Sequence, residues 1–140
     1  MTNPITIEIT ILAPINTVWE YFCNSNHITK WNFANETWYC PKSESNLHVG
    51  GSFNHTMAAR DGSFSFDFKG VYDEILPFDT IKYHLDDGRN VVVLFEEIDA
   101  NTTKVTEIFE PEKQNSAEMQ REGWYAILNN FHKYVENNSK

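Results

Sequence analysis

The chain has 140 residues, 20 of them Asp or Glu and 11 Lys or Arg, for a formal net charge of −9. Such an acidic balance excludes the clustered cations that a nucleic-acid surface or an anionic membrane would require. No apolar run approaches the roughly 20 residues of a bilayer span, and the length suits one domain over residues 1–140.

The opening "MTNPITIEIT" has neither a basic start nor an apolar stretch of export-signal type, so a cytoplasmic location is expected. Ile5, Ile7, Ile9 and Ile11 alternate with Thr6, Glu8 and Thr10, the period of a strand. Pro14 suits the first turn of a helix that places Ile15, Val18, Trp19 and Phe22 on one face. "NSN" at 24–26 stops it, and "HITKW" makes a second short helical piece with Ile28 and Trp31 inward. Residues 32–47 show no period and read as a long irregular connection carrying Phe33, Trp38 and Tyr39. Those rings either plug the end of the core or form a lid over a ligand mouth.

Asp61-Gly62 is the signature of a two-residue type I′ hairpin turn. Counting back from it, Met57 faces Phe66, His55 faces Phe68 and Phe53 faces Gly70, while Asn54, Thr56, Ser65, Asp67 and Lys69 share the opposite, wet face. Further along, "VGGS" at 49–52 reads as a bulged strand start. "DTIKYHL" puts Ile81, Tyr83 and Leu85 on one side. "NVVVLFEEI" is apolar on both sides, and periodicity alone leaves its facing open. A three-residue turn at 87–89 would set Val91, Val93 and Phe95 opposite Leu85, Tyr83 and Ile81. In "TKVTEIFEP", Thr103, Val105, Glu107 and Phe109 share a face. A helix from about Ser116 to Val135 carries a stripe of Met119 or Gln120, Gly123, Trp124, Ile127, Leu128, Phe131 and Val135.

Hairpin-linked antiparallel strands with one wet face need cover on the other, and the long helix supplies it. A sheet that curls further than the helix can fill leaves a space between them.

The stretches "APINTVWEYF", "ITKWN", "WYCPKSESNLHVGGSF", "ARDGSFSFDFKGVYDEI" and "REGWYAILNNFHKYV" resemble the SRPBCC superfamily. Within it they resemble the branch of Activator of Hsp90 ATPase homologue 1-like C-terminal domains (AHSA1), in its stand-alone bacterial type. The resemblance covers nearly the whole chain in order. It implies an α+β helix-grip (Bet v 1/START-like) fold: a curved antiparallel β-sheet wrapped around a long C-terminal helix, with two short helices after the first strand. It further implies an internal cavity of the kind that related proteins use for lipids, sterols, polyketides or hormones, and in some members for catalysis.

No HExxH, GxSxG, P-loop or GxGxxG occurs, and His27, His48, His55, His84 and His132 show no metal spacing, so neither metal nor cofactor is expected. Cys23 and Cys40 read as reduced thiols. His55 sits between Phe53 and Met57, and Glu107 between Val105 and Phe109, so their neighbours draw both inward. Either His55 is a satisfied core histidine and Glu107 lies solvated near the open end of the sheet, or His55, Glu107 and Tyr83 are polar anchors of an apolar ligand site. On the second reading Phe53, Met57, Phe66, Phe68, Phe95, Phe109, Trp124 and Leu128 are walls, with Trp31, Trp38 and Tyr39 near the mouth. Arg60 and Arg89 at hairpin tips, and Arg121, are expected in water. Gly123 inside a helix implies something that needs its space, a sheet contact or a ligand.

The first function expected is binding of a small hydrophobic or amphipathic molecule, by a monomer or homodimer. The alternatives are an enzyme using His55 and Glu107 as an acid–base pair in the same cavity, and a chaperone-contacting module.

Overall fold

The computed structural model describes residues 1–138. In chain order the elements are β1 (Ile5–Ile11), α1 (Ile15–Cys23), α2 (Ser25–Ile28), β2 (Trp38–Ser45), β3 (Ser52–Ala59), β4 (Ser65–Leu76), β5 (Thr80–Leu85), β6 (Asn90–Asp99), β7 (Thr102–Phe109) and α3 (Ala117–Asn138). All seven strands join one antiparallel sheet in the order β1-β7-β6-β5-β4-β3-β2. The sheet curls about α3, which is the expected helix-grip arrangement. Among the described residues no helix is long and apolar enough to cross a membrane.

The β3–β4 register is the one the sequence implies: His55 opposite Phe68, Met57 opposite Phe66, Phe53 opposite Gly70. The turn chemistry differs. Of the Asp61-Gly62 pair only Gly62 has positive φ, 78°. Its N–H donates to the Ala59 carbonyl, while the Ala59 N–H donates to the Phe64 carbonyl. The connection is thus a four-residue loop whose one left-handed position is filled by glycine, not a type I′ turn. At the other end of β3, Gly50 and Gly51 both bond Tyr72, the bulge read from the "VGGS" stretch.

Two strand assignments change. The segment expected to be irregular contains β2, paired with β3 from Trp38 opposite Ala59 to Ser45 opposite Phe53. Its alternation is masked by a register shift between Tyr39 and Lys42, which spans Pro41; an edge strand tolerates that missing N–H. In β5–β6, Tyr83 lies opposite Val91 and Ile81 opposite Val93. The pairing has slid two residues from the expected three-residue turn, because Leu85 instead closes onto Arg89 through a tight turn with Gly88 at φ 91°. A two-residue slide preserves facing, so Val91, Val93 and Phe95 are still buried.

The interior has a filled half and an open half. On the filled side Ile5, Ile11, Val18, Val105, Leu128, Phe131 and Val135 are buried in one cluster. There Phe22 packs edge-on against Phe95 and Phe131 at ring separations of 5.4 and 5.3 Å. The close approach of α3 is to β1 and α1. Toward β3, β4 and β5 the helix stands off, and side chains alone bridge the gap.

Candidate functional site

That stand-off encloses a cavity of about 570 Å³. Its apolar wall comes from Phe53 and Met57 on β3, Phe66, Phe68 and Tyr72 on β4, Ile81 on β5, Trp124 and Ile127 on α3, and Phe22, Ile28 and Trp31 from the α1–α2 region. The rings hold one another. Phe53 meets Tyr83 edge-on at 5.0 Å, and Phe68 meets Trp124 at 5.9 Å. Trp124 stacks on Phe109 at 3.9 Å with the planes 7° apart. Gly70 makes room for this wall: a Cβ there would lie 2.2 Å from the His84 carbonyl oxygen and 3.1 Å from the Phe53 ring. Where the lining meets solvent it carries Phe66, Gln114 and Asn115. Gln120 positions that rim. Its side-chain amide donates to the carbonyls of Glu112 and Asn115 and accepts from the Glu112 N–H, tying the segment before α3 to the helix.

Three polar groups stand on the wall. His55 is nine-tenths buried, with Nδ1 2.8 Å from Ser43 Oγ, which in turn lies 3.2 Å from Ser25 Oγ. Burial pulls its pKa down to about 4, so the ring is neutral at neutral pH. Glu107 on β7 is equally buried, and burial pushes its carboxyl up to about 8. Among the described residues its carboxyl has no hydrogen-bond or ion-pair partner. Tyr83 on β5 has its phenol raised well above the usual value by burial first, then by Glu107 and Tyr72. At pH 7 the wall therefore presents a neutral imidazole, a protonated carboxyl and a phenol in an aromatic surround.

Of the residues singled out from sequence, Trp31, Phe53, His55, Met57, Phe66, Phe68, Tyr83, Glu107 and Trp124 line the cavity. Five do not. Trp38 packs one ring further out, against Phe64 and Phe66. Tyr39 lies under the Arg60 guanidinium, 5.1 Å from ring centre, opposite Ala58 on the other face of the sheet. Phe95 is enclosed by Trp19 and Phe22, Phe109 is sealed beneath Trp124, and Leu128 belongs to the filled half. His55 and Glu107 occupy β3 and β7, with β4, β5 and β6 between them. No direct hydrogen bond joins them, and both face the same cavity.

Two expectations about isolated residues are also corrected. Arg89 is not at a solvated tip: it lines the cavity, with Nε 2.9 Å from Asp87 Oδ2. Of the two readings of Gly123, the sheet contact is the one overturned, since a Cβ there would meet nothing within 4 Å. Arg121 is exposed, as expected, and its Nη1 donates to the Thr6 carbonyl. Cys23 and Cys40 are both free thiols.

Sequence reasoning missed Phe22, Cys23, Ile28, Tyr72, Ile81 and Ile127, and the polar rim of Asn32, Arg89, Glu112, Gln114, Asn115 and Gln120. Tyr72 had a signal, because it continues the Phe66, Phe68, Gly70 face by two. The rim segment had none, since only the contacts of Gln120 place it.

Comparison with known proteins agrees with this geometry. The family model described as Activator of Hsp90 ATPase homolog 1-like protein matches residues 12–136. The AHSA1-like protein from Aeromonas hydrophila is 38% identical, with a TM-score of 0.91 over 97% of this chain and 94% of that one. Chr148 from Cytophaga hutchinsonii is 47% identical, with a TM-score of 0.83 over 98% and 94%. Protein NE0264 from Nitrosomonas europaea shares the fold, at 15% identity and a TM-score of 0.81 over 97% and 96%. None of the curated proteins matches. The helix-grip fold and a family match across most of its length place this chain in the Activator of Hsp90 ATPase homolog 1-like family.

Proposed function

We propose that the chain binds a small, mainly apolar or amphipathic molecule in the cavity between the sheet and α3. One observation carries the reading: an aromatic-walled space of about 570 Å³ with three inward polar groups and a polar rim. That volume lies within the range of small-molecule sites, and its make-up is theirs too. Each 100 Å² of apolar ligand surface buried there contributes about 2.5 kcal/mol before association costs. His55 and Tyr83 then orient the ligand's polar groups. The reading is of a binding protein because the cavity is mainly apolar and no hydrogen bond links His55 to Glu107.

Trp31 and Trp124 on the wall report occupancy directly. Titration with a panel of fatty acids, aromatic alcohols, polyketides and amines is expected to change tryptophan emission and raise the melting temperature for at least one class. A panel that leaves both unchanged overturns the proposal.

A further inference from the structure

Glu107 raises a question that apolar binding alone does not answer. It is buried, lines the cavity, and among the described residues has no partner for its carboxyl. Its oxygens are not sealed in the core but open onto the cavity, where water or a ligand can pair them. Its strand neighbours cannot: the register partners are Ile7 on β1 and Val93 on β6. From β5 comes the Tyr83 phenol, and from α3 come Trp124 and Gln120, whose amide is already committed to the 112–115 segment. The cation on the lining, Arg89, is engaged by Asp87. The other lining acid, Glu112, has its oxygens occupied by the N–H groups of Gln114 and Asn115.

We infer that the ligand carries an amine, whose ammonium group pairs with Glu107 among the rings of Tyr83, Phe68 and Trp124. The inference rests on the cavity reading above and names the ligand class within it. Three observations favour a cation over an anion or a neutral head group. Two acids line the cavity against one arginine that is already paired. The Phe53, Phe68, Tyr83 and Trp124 rings cluster on the same cavity wall, with Tyr83 close enough to Glu107 to feel its charge, and ring faces attract cations. The chain's net charge of −9 concentrates cations around it and repels anionic amphiphiles. Burial does not forbid the pair. With Glu107 at about 8, ionising it at pH 7 lowers the affinity for an ammonium only about tenfold, which pairing has to exceed.

The test uses three probes with one apolar body: phenylbutylamine, phenylbutanol and phenylbutyrate, titrated calorimetrically into the full chain. The amine is expected to bind at least about tenfold tighter than the alcohol, and the carboxylate more weakly than either. At pH 7, runs in buffers of different ionisation enthalpy are expected to show about 0.9 proton released per amine bound, and none for the alcohol. Glu107→Gln is expected to collapse the amine-to-alcohol ratio to about one and abolish the proton release. Equal binding of amine and alcohol, a preference for the carboxylate, or a preference that survives Glu107→Gln overturns the inference while leaving the cavity reading in place. No binding by any of the three also overturns the inference; the cavity reading falls only if the wider panel fails as well.

Discussion

Two buried groups with opposite shifts make the stability of this protein depend on pH in a calculable way. Glu107 rises from 4.5 to about 8 on folding. Below pH 4.5 it is protonated in both states and contributes no difference. Above that the unfolded chain loses the proton first, so stability falls as pH rises until about 8, by on the order of 5 kcal/mol in all. His55 falls from 6.5 to about 4. Above pH 6.5 it is neutral in both states. As pH drops through that window the unfolded chain takes up the proton first, so on the order of 3 kcal/mol is lost by pH 4. Between 4.5 and 6.5 the two slopes cancel, and between 6.5 and 8 Glu107 acts alone. Glu110, held below its usual range by the N–H groups of Thr2 and Asn90, and Asp61, held down by Ser63, titrate below this window. Urea unfolding is therefore expected to give a plateau and then a loss of about 2 kcal/mol from pH 6.5 to 8. In Glu107→Gln that loss disappears and stability instead rises from pH 4 to 6.5; in His55→Gln the plateau tilts downward from pH 4.5. A wild-type profile level between 6.5 and 8, or a Glu107→Gln profile that still falls there, refutes the buried, unpartnered carboxyl.

Replacing Gly123 by Ala adds a methyl group into open space on a helix, so it is expected to stabilise by about 1 kcal/mol, seen as a melting temperature higher by about 3 °C. Gly70→Ala drives a Cβ to 2.2 Å from the His84 carbonyl and is expected to cost more than about 2 kcal/mol in urea unfolding, with β4–β5 pairing disturbed. Burial raises the Cys23 thiol to about 12 and raises Cys40 as well. Neither should react with a thiol reagent at pH 8 on the time scale in which both react after denaturation.

How far the sequence could be read depended on the range of the interaction concerned. The β3–β4 register was legible because one turn and a period of two act between neighbours in the chain, even though the turn type was not I′. The inward facing of His55 and Glu107 was legible for the same reason. β2 was not, because the register shift spanning Pro41 breaks the alternation that reveals a strand. The β5–β6 register differed by two residues because Leu85 closes onto Arg89, a contact inside the turn that alternation does not encode.

Local pattern by itself determined which side chains face the interior, since a strand or helix assigns faces residue by residue. It did not determine what those faces meet. Phe95 and Phe68 both point inward, yet one is enclosed by Trp19 and Phe22 and the other borders empty space. Only the tertiary arrangement decided that, because α3 approaches β1 closely and stands away from β3, β4 and β5. The same stand-off brings Arg89 and the 112–115 segment to the cavity and leaves Glu107 buried without a partner, and its shifted titration follows from that enclosure.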